Sequence, residues 1–331
     1  MDFRTEVEIE KPVFRIGLRQ KTVFAGSCFA ENVGRRLQQS RLNCRVNPFG
    51  VLYNPESLAT MLRLAADPAV TGEDIPVFES EGLWHCWLTD SSFSALTEAE
   101  CRERVCRTLN EIRADLPGLD YLFLTLGTNR CYRLKGEQRI VGNCHKQSAA
   151  VFEECSLTVE QITDVLEQAL VALWQQGASH LKVVFTVSPY RYAKYGFHGS
   201  RLGKATLLLA VDELCRRYPL QCFYFPAYEI VLDELRDYRF YADDMLHPSS
   251  QAVEYIWERF AATYFDEETL HFLERWKRLQ KSLAHRSLHP GTESERRFLQ
   301  TTLTRLDELA REYPFLSFST ERQELMRRIQ N

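Results

Sequence analysis

The sequence has no uncharged apolar run approaching the ~18 residues that a membrane-spanning helix needs. Its first residues, MDFRTEVEIEKP, contain neither an apolar signal core nor a small-residue cleavage site. Both absences argue against a membrane or secreted protein and predict a cytoplasmic one with reduced thiols. A charge excess is also missing: 41 basic residues stand against 45 acidic ones, a net charge of −4. That leaves no basic footprint for nucleic acid, so no nucleic-acid partner is expected. The ten cysteines include no C-x-x-C pair, which removes the usual zinc-ribbon and thioredoxin signatures. Cys144 and His145 are adjacent, a poor spacing for one metal, and no further ligand cluster accompanies them. Neither a metal nor a cofactor is expected.

What is present is an ordinary globular composition: 331 residues, 45% hydrophobic and 26% charged. A chain this long can bury a core without disulfides. Short apolar, β-branched or aromatic runs predict strands at Thr22–Ala25, Cys44–Val46, Tyr121–Leu126, Lys182–Val187 and Cys222–Phe225. Helical spacing follows or precedes them at Phe29–Gln39, Glu56–Ala66, Glu98–Asp115, Val159–Gln175 and Lys204–Arg217. Strand alternating with helix predicts a parallel sheet covered on both faces. Two hairpin insertions are expected, at 75–89 and 131–141. Residues 1–265 thus form one α/β domain. Residues 266–331 read as a helical C-terminal extension, with Thr292 and Thr320 as N-caps. Its interleaved Arg, Lys, Glu and Asp read as a solvated face. Its helices would either pack on the domain or make a homodimer contact.

Chemistry-bearing residues fall at the ends of the core elements. Ser27 follows the first strand in Gly26-Ser27-Cys28-Phe29-Ala30 and opens a helix, where open α/β sheets place ligands. The same serine could simply cap that helix. Asp244 and His247 are three residues apart, a spacing that lets a carboxylate orient an imidazole base. Gly127-Thr128-Asn129 follows the third strand, and Asn47-Pro48-Phe49-Gly50 the second. Asn129 could donate its amide, and Gly50 its backbone N–H, to an oxyanion; both also suit ordinary turns. Cys28 competes as nucleophile, because a thiol at a helix N-terminus has a lowered pKa.

The block order resembles the SGNH (GDSL-like) hydrolase superfamily, and Gly26 to Ala30 spell the motif of its GSCFA family. VNPFGVLYNP at 46–55, GNCHK at 142–146, TVSPYR at 186–191, KATLLLAVDELC at 204–215 and RFYADDMLHPS at 239–249 are similar to that family too. The resemblance implies a three-layer αβα, flavodoxin-like fold and ester hydrolysis through an acyl-enzyme. It implies Ser27 as nucleophile, His247 as base and Asp244 as its orienting partner, with Gly50 and Asn129 as oxyanion donors. Two departures stand out: no aspartate precedes Ser27, and Arg130 follows Asn129 where the superfamily carries an acid. Arg130, His145, Lys146 and Trp84 are candidates for substrate binding; Arg191, His198 and Lys204 flank the loop after the fourth strand and could bind a polar substrate, but read more readily as surface residues. The expected substrate is a small-molecule or carbohydrate ester. Acyl transfer from the same site, or a non-catalytic glycan-binding module on this scaffold, are the alternatives.

Overall fold

A computed structural model describes residues 4–289 and 291–330. In chain order the elements begin with β1 (Lys21–Gly26), α1 (Cys28–Gln39), β2 (Cys44–Val46) and α2 (Pro55–Ala66). A hairpin follows, β3 (Val77–Ser80) and β4 (Leu83–Cys86), then α3 (Glu98–Asp115) and β5 (Leu119–Leu126). Next come β6 (Arg130–Leu134), β7 (Ile140–Val141) and β8 (Phe152–Ser156), then α4 (Val159–Gln175), β9 (Lys182–Val187), α5 (Gly196–Arg217) and β10 (Cys222–Tyr224). A short α6 (Ala227–Glu229) runs into a π-helical turn, Ile230–Leu235. The chain ends in α7 (Ser250–Tyr264), α8 (Glu267–Ala284), α9 (Glu293–Glu312) and α10 (Ser319–Gln330).

The five core strands form one all-parallel sheet in the order β10-β9-β5-β1-β2. Strand alternation divides its side chains between two layers. Val23, Ala25, Leu122, Leu124, Val183 and Phe185 face a core shared with α2, α3, α4 and α5. Phe24, Tyr121, Phe123 and Val184 face the other core, shared with α1 and α7. There Phe24 and Phe123 stack with ring centroids 4.2 Å apart. The result is the expected three-layer αβα arrangement. The order in which strands are added reverses at β1: β2 lies on one side of it and β5 on the other, so the switch point falls between β1 and β5, whose carboxyl edge is the usual ligand position in such sheets.

The helical C-terminal region continues the second core. Trp276, Leu279, Leu299, Leu306 and Leu325 are buried in the same cluster as Phe29 and Leu37 of α1, and the Trp276 indole donates to the Gln39 carbonyl at 2.8 Å. Much of the apolar stripe of α8–α10 therefore packs within the chain, while Phe298 and Met326 stay exposed. Thr292 caps α9 as expected, whereas Thr320 falls inside α10, which starts at Ser319.

One further expectation needs correction, and the second hairpin, present as expected, is extended by a third strand. Helix α5 begins at Gly196, eight residues before the expected start at Lys204; the run GFHGS is helical despite two glycines. The second hairpin is also larger, because β8 pairs with the free side of β6 in the order β7-β6-β8. No helix among the described residues is long and apolar enough to cross a membrane.

Candidate active site

Ser27 stands where β1 gives way to α1. Gly26 makes the turn at φ +136°, and a Cβ there would lie 2.2 Å from the Thr125 carbonyl oxygen, so glycine is required. The Ser27 N–H donates to that same oxygen at 3.1 Å. The Ser27 hydroxyl accepts from the Phe29 N–H at 3.3 Å and so caps α1. The residue is 2% exposed.

The Asp244–His247 pair lies in the loop before α7. Asp244 Oδ2 and His247 Nδ1 are 2.5 Å apart, and Asp244 Oδ1 accepts the backbone N–H groups of Leu246 and His247, both at 2.9 Å. Foremost the His247 side-chain bond, then the backbone bonds, hold the Asp244 carboxyl down at about 2. An ionised carboxylate accepts only, so Nδ1 is the donor in this bond and Nε2 is the ring nitrogen that the pair leaves without a partner. The loop is pinned from the segment after β9: the Arg191 N–H donates to Leu246 O and its guanidinium to Met245 O, each at 3.0 Å. The Tyr190 ring packs 4.4 Å from the His247 ring. No hydrogen bond joins His247 to the Ser27 hydroxyl, whose partner is Phe29.

The expected oxyanion donors have other partners here. The Gly50 N–H donates to Asn47 O at 2.9 Å. Gly50 has φ +79°, and a Cβ on it would strike the Asp90 carboxylate at 2.2 Å; Asp90 in turn accepts the Val51 N–H at 3.0 Å. Asn129 is buried, with Nδ2 donating to Leu157 O at 3.0 Å and Oδ1 turned towards Gly203 of α5. Its amide thereby fixes the start of the β6–β8 sheet.

The Arg130 guanidinium lies 4.7 Å over the Tyr195 ring. His145 is buried, its Nε2 donating to Cys86 O at 2.8 Å and its Nδ1 3.4 Å from the Ser91 hydroxyl. Burial pushes His145 below the ordinary histidine range, so it is a neutral structural tie to β4. Lys146 is exposed. Trp84 is half-buried in the β3–β4 hairpin, packed on the first core. Phe78 and Trp87 stack on each other at 3.6 Å, so that aromatic alternation serves hairpin packing.

Two readings of the sequence are overturned. The Cys28 thiol is raised rather than lowered: burial dominates and Glu31 adds to it, while Lys204 opposes them. Lys204 is not a surface residue. It is buried, with Nζ donating to Gly127 O and Ser188 O, both at 2.6 Å. The early start of α5 puts it on the inward face, a position the sequence signalled only through its place in KATLLL. Among the described residues no group of three His, Cys, Asp or Glu side chains could hold a metal ion.

A parallel sheet with helices on both faces, a serine turn at the end of β1 and an Asp–His pair in the loop before α7 define an α/β protein. Residues 21–260 match the GSCFA family, and residues 276–331 match the GSCFA domain protein, C-terminal domain. The chain belongs to the GSCFA family. No curated protein matches it.

Proposed function

We propose that the chain is a serine ester hydrolase of the SGNH (GDSL-like) type acting on a small-molecule or carbohydrate ester. The observation that carries this reading is the 2.5 Å Asp244–His247 bond, which orients an exposed imidazole with Nε2 available. In the reaction the Ser27 hydroxyl leaves the Phe29 N–H, gives its proton to Nε2 and attacks the acyl carbon; the ester C–O bond then breaks and the alcohol departs with that proton, after which water, deprotonated by Nε2, attacks the acyl carbon and frees the acid as Ser27 Oγ regains a proton. We place it in the cytoplasm, where the ten cysteines of the sequence would stay reduced.

The test is labelling by a fluorophosphonate probe, with peptide mapping of the modified residue, together with hydrolysis of p-nitrophenyl acetate. Labelling at Ser27 that is lost in Ser27→Ala and kept in Cys28→Ala supports the reading. The reverse pattern assigns the chemistry to Cys28. The burial of Ser27 favours a second reading, a non-catalytic ligand-binding module. An unlabelled wild type that binds glycans would establish it. Acyl transfer uses the same residues and is recognised by acylation of an added alcohol.

A further inference from the structure

Among the described residues four buried side-chain polar atoms have no hydrogen-bond partner, and one of them is Asn47 Nδ2. Asn47 follows β2 directly and sits at φ +42°, a region that asparagine tolerates better than most residues. Its N–H donates to Phe24 O at 2.7 Å, and its carbonyl accepts the Gly50 N–H at 2.9 Å. Its Oδ1 accepts the Gly26 N–H at 2.9 Å. One residue thus joins the end of β1, the end of β2 and the Gly50 turn. Amide bond lengths then keep Nδ2 within about 5.5 Å of the Gly26 nitrogen, next to Ser27. Asn47 also lines a cleft of about 520 Å³ with Glu31, Gly50, Val51 and Asp90.

The Ser27 N–H, the Gly50 N–H and one Asn129 amide hydrogen are all given to backbone carbonyls. Asn47 Nδ2 has neither acceptor nor solvent. A buried donor left this way weakens the fold unless something else uses it. We propose that Asn47, rather than Asn129, supplies the side-chain N–H that stabilises the oxyanion, an inference that rests on the ester-cleaving reading above. When Ser27 Oγ bonds to the acyl carbon, the carbonyl π pair moves to oxygen and the hydroxyl proton passes to His247 Nε2. Asn47 Nδ2 donates a hydrogen bond to that oxygen and keeps its own proton.

Asn47→Asp tests this in the full-length protein. Aspartate retains an acceptor for the Gly26 N–H and tolerates the positive φ, but has no amide donor. The expected result with p-nitrophenyl acetate is a kcat lower by about 10²–10³ with KM little changed, and a thermal midpoint close to wild type. The ratio of variant to wild-type rate should rise as pH falls, because a protonated carboxyl can donate in place of the amide. Asn47→Gly keeps the backbone conformation without either group, and should show the kcat loss without the pH-dependent recovery. The proposal is overturned if Asn47→Asp keeps the wild-type kcat while Ser27→Ala is inactive, or if only stability and KM change. A wild type inert to both this ester and the fluorophosphonate overturns the ester-cleaving reading itself, and the assignment of Asn47 with it.

Discussion

Lys204 Nζ donates to the Gly127 carbonyl at 2.6 Å from a fully buried position on α5. It donates equally to Ser188 O. Gly127 and Ser188 are the first residues beyond β5 and β9, so one ammonium ties two neighbouring strand ends below the candidate site. Lys204→Met removes both donors and keeps most of the side-chain volume. Each carbonyl left unpaired costs about 1–3 kcal/mol, offset in part because a buried cation no longer has to be desolvated. The expected outcome is a lower urea midpoint with an unchanged m-value. A midpoint equal to or above wild type would mean that the burial penalty outweighs the clamp.

The same lysine makes stability depend on pH. Burial lowers its folded pKa to about 7, with Cys28 opposing the shift, whereas the unfolded value is about 10.4. Between those limits the unfolded chain holds the proton and the folded one has released it. Unfolding therefore takes up a proton, and this group's contribution to stability rises with pH from about 7 to about 10 and is flat below 7. Urea titrations of wild type and Lys204→Met across that range should diverge in slope. Parallel curves would show that Lys204 keeps its proton throughout.

The parts of the molecule legible in sequence are those specified by local pattern. Strand β5, LDYLFLTL, is buried along both faces, and its alternation sends Leu122 and Leu124 one way and Phe123 the other. Helices α3, α4, α8 and α9 begin after Thr97, Thr158, Asp266 and Thr292, whose side chains cap them, so their starts are visible. The Asp244–His247 pair is local as well. What was not legible depends on distant partners. Strand β8, FEECS, is mostly exposed and polar, and becomes a strand only because β6 offers it an edge. The Asn129 amide looks free until Leu157, 28 residues on, takes it. Lys204 gives no local sign that two carbonyls await it inside the chain.

Asp244→Asn tests the oriented histidine. Both side chains are nearly half exposed, at 44% and 46%, so the change should leave the thermal midpoint almost unaltered. Asparagine can instead donate to Nδ1, which favours the tautomer with its proton on Nε2 and removes the base. On the ester-cleaving reading, kcat for p-nitrophenyl acetate falls by about 10²–10⁴. Full activity in Asp244→Asn would disconnect the pair from the chemistry.

Cys131 and Cys155 are opposed in register on β6 and β8, with their sulfurs 3.1 Å apart. Cross-strand partners at that spacing need little movement to bond. Treatment with a small disulfide reagent should join them, the two thiols losing two protons and two electrons as the reagent is reduced to two thiols. Burial raises the Cys131 thiol well above its usual range, so the reaction should be slow at neutral pH and faster in alkali. Peptide mapping after alkylation is the measurement. Both cysteines recovered alkylated, after conditions that oxidise other thiols of the chain, would show that the strands hold the sulfurs apart.

Gly26→Ala examines the serine turn itself. The new Cβ would fall 2.2 Å from Thr125 O and 2.9 Å from the Thr125 carbonyl carbon, and both are backbone atoms of the central strand. Residue 26 is also held at φ +136°, where alanine is strained by about 1–3 kcal/mol before any clash is counted. Relief requires either that β1 separates from β5 at its end, breaking the Ser27 N–H bond to Thr125, or that the turn unwinds and releases the cap on α1. Either route moves Ser27 away from the edge where His247 is oriented. The expected outcome is a marked drop in thermal midpoint together with loss of fluorophosphonate labelling at Ser27. A stable Gly26→Ala protein that still labels would mean that the turn can be built another way, and that the close approach to Thr125 is not what positions the serine.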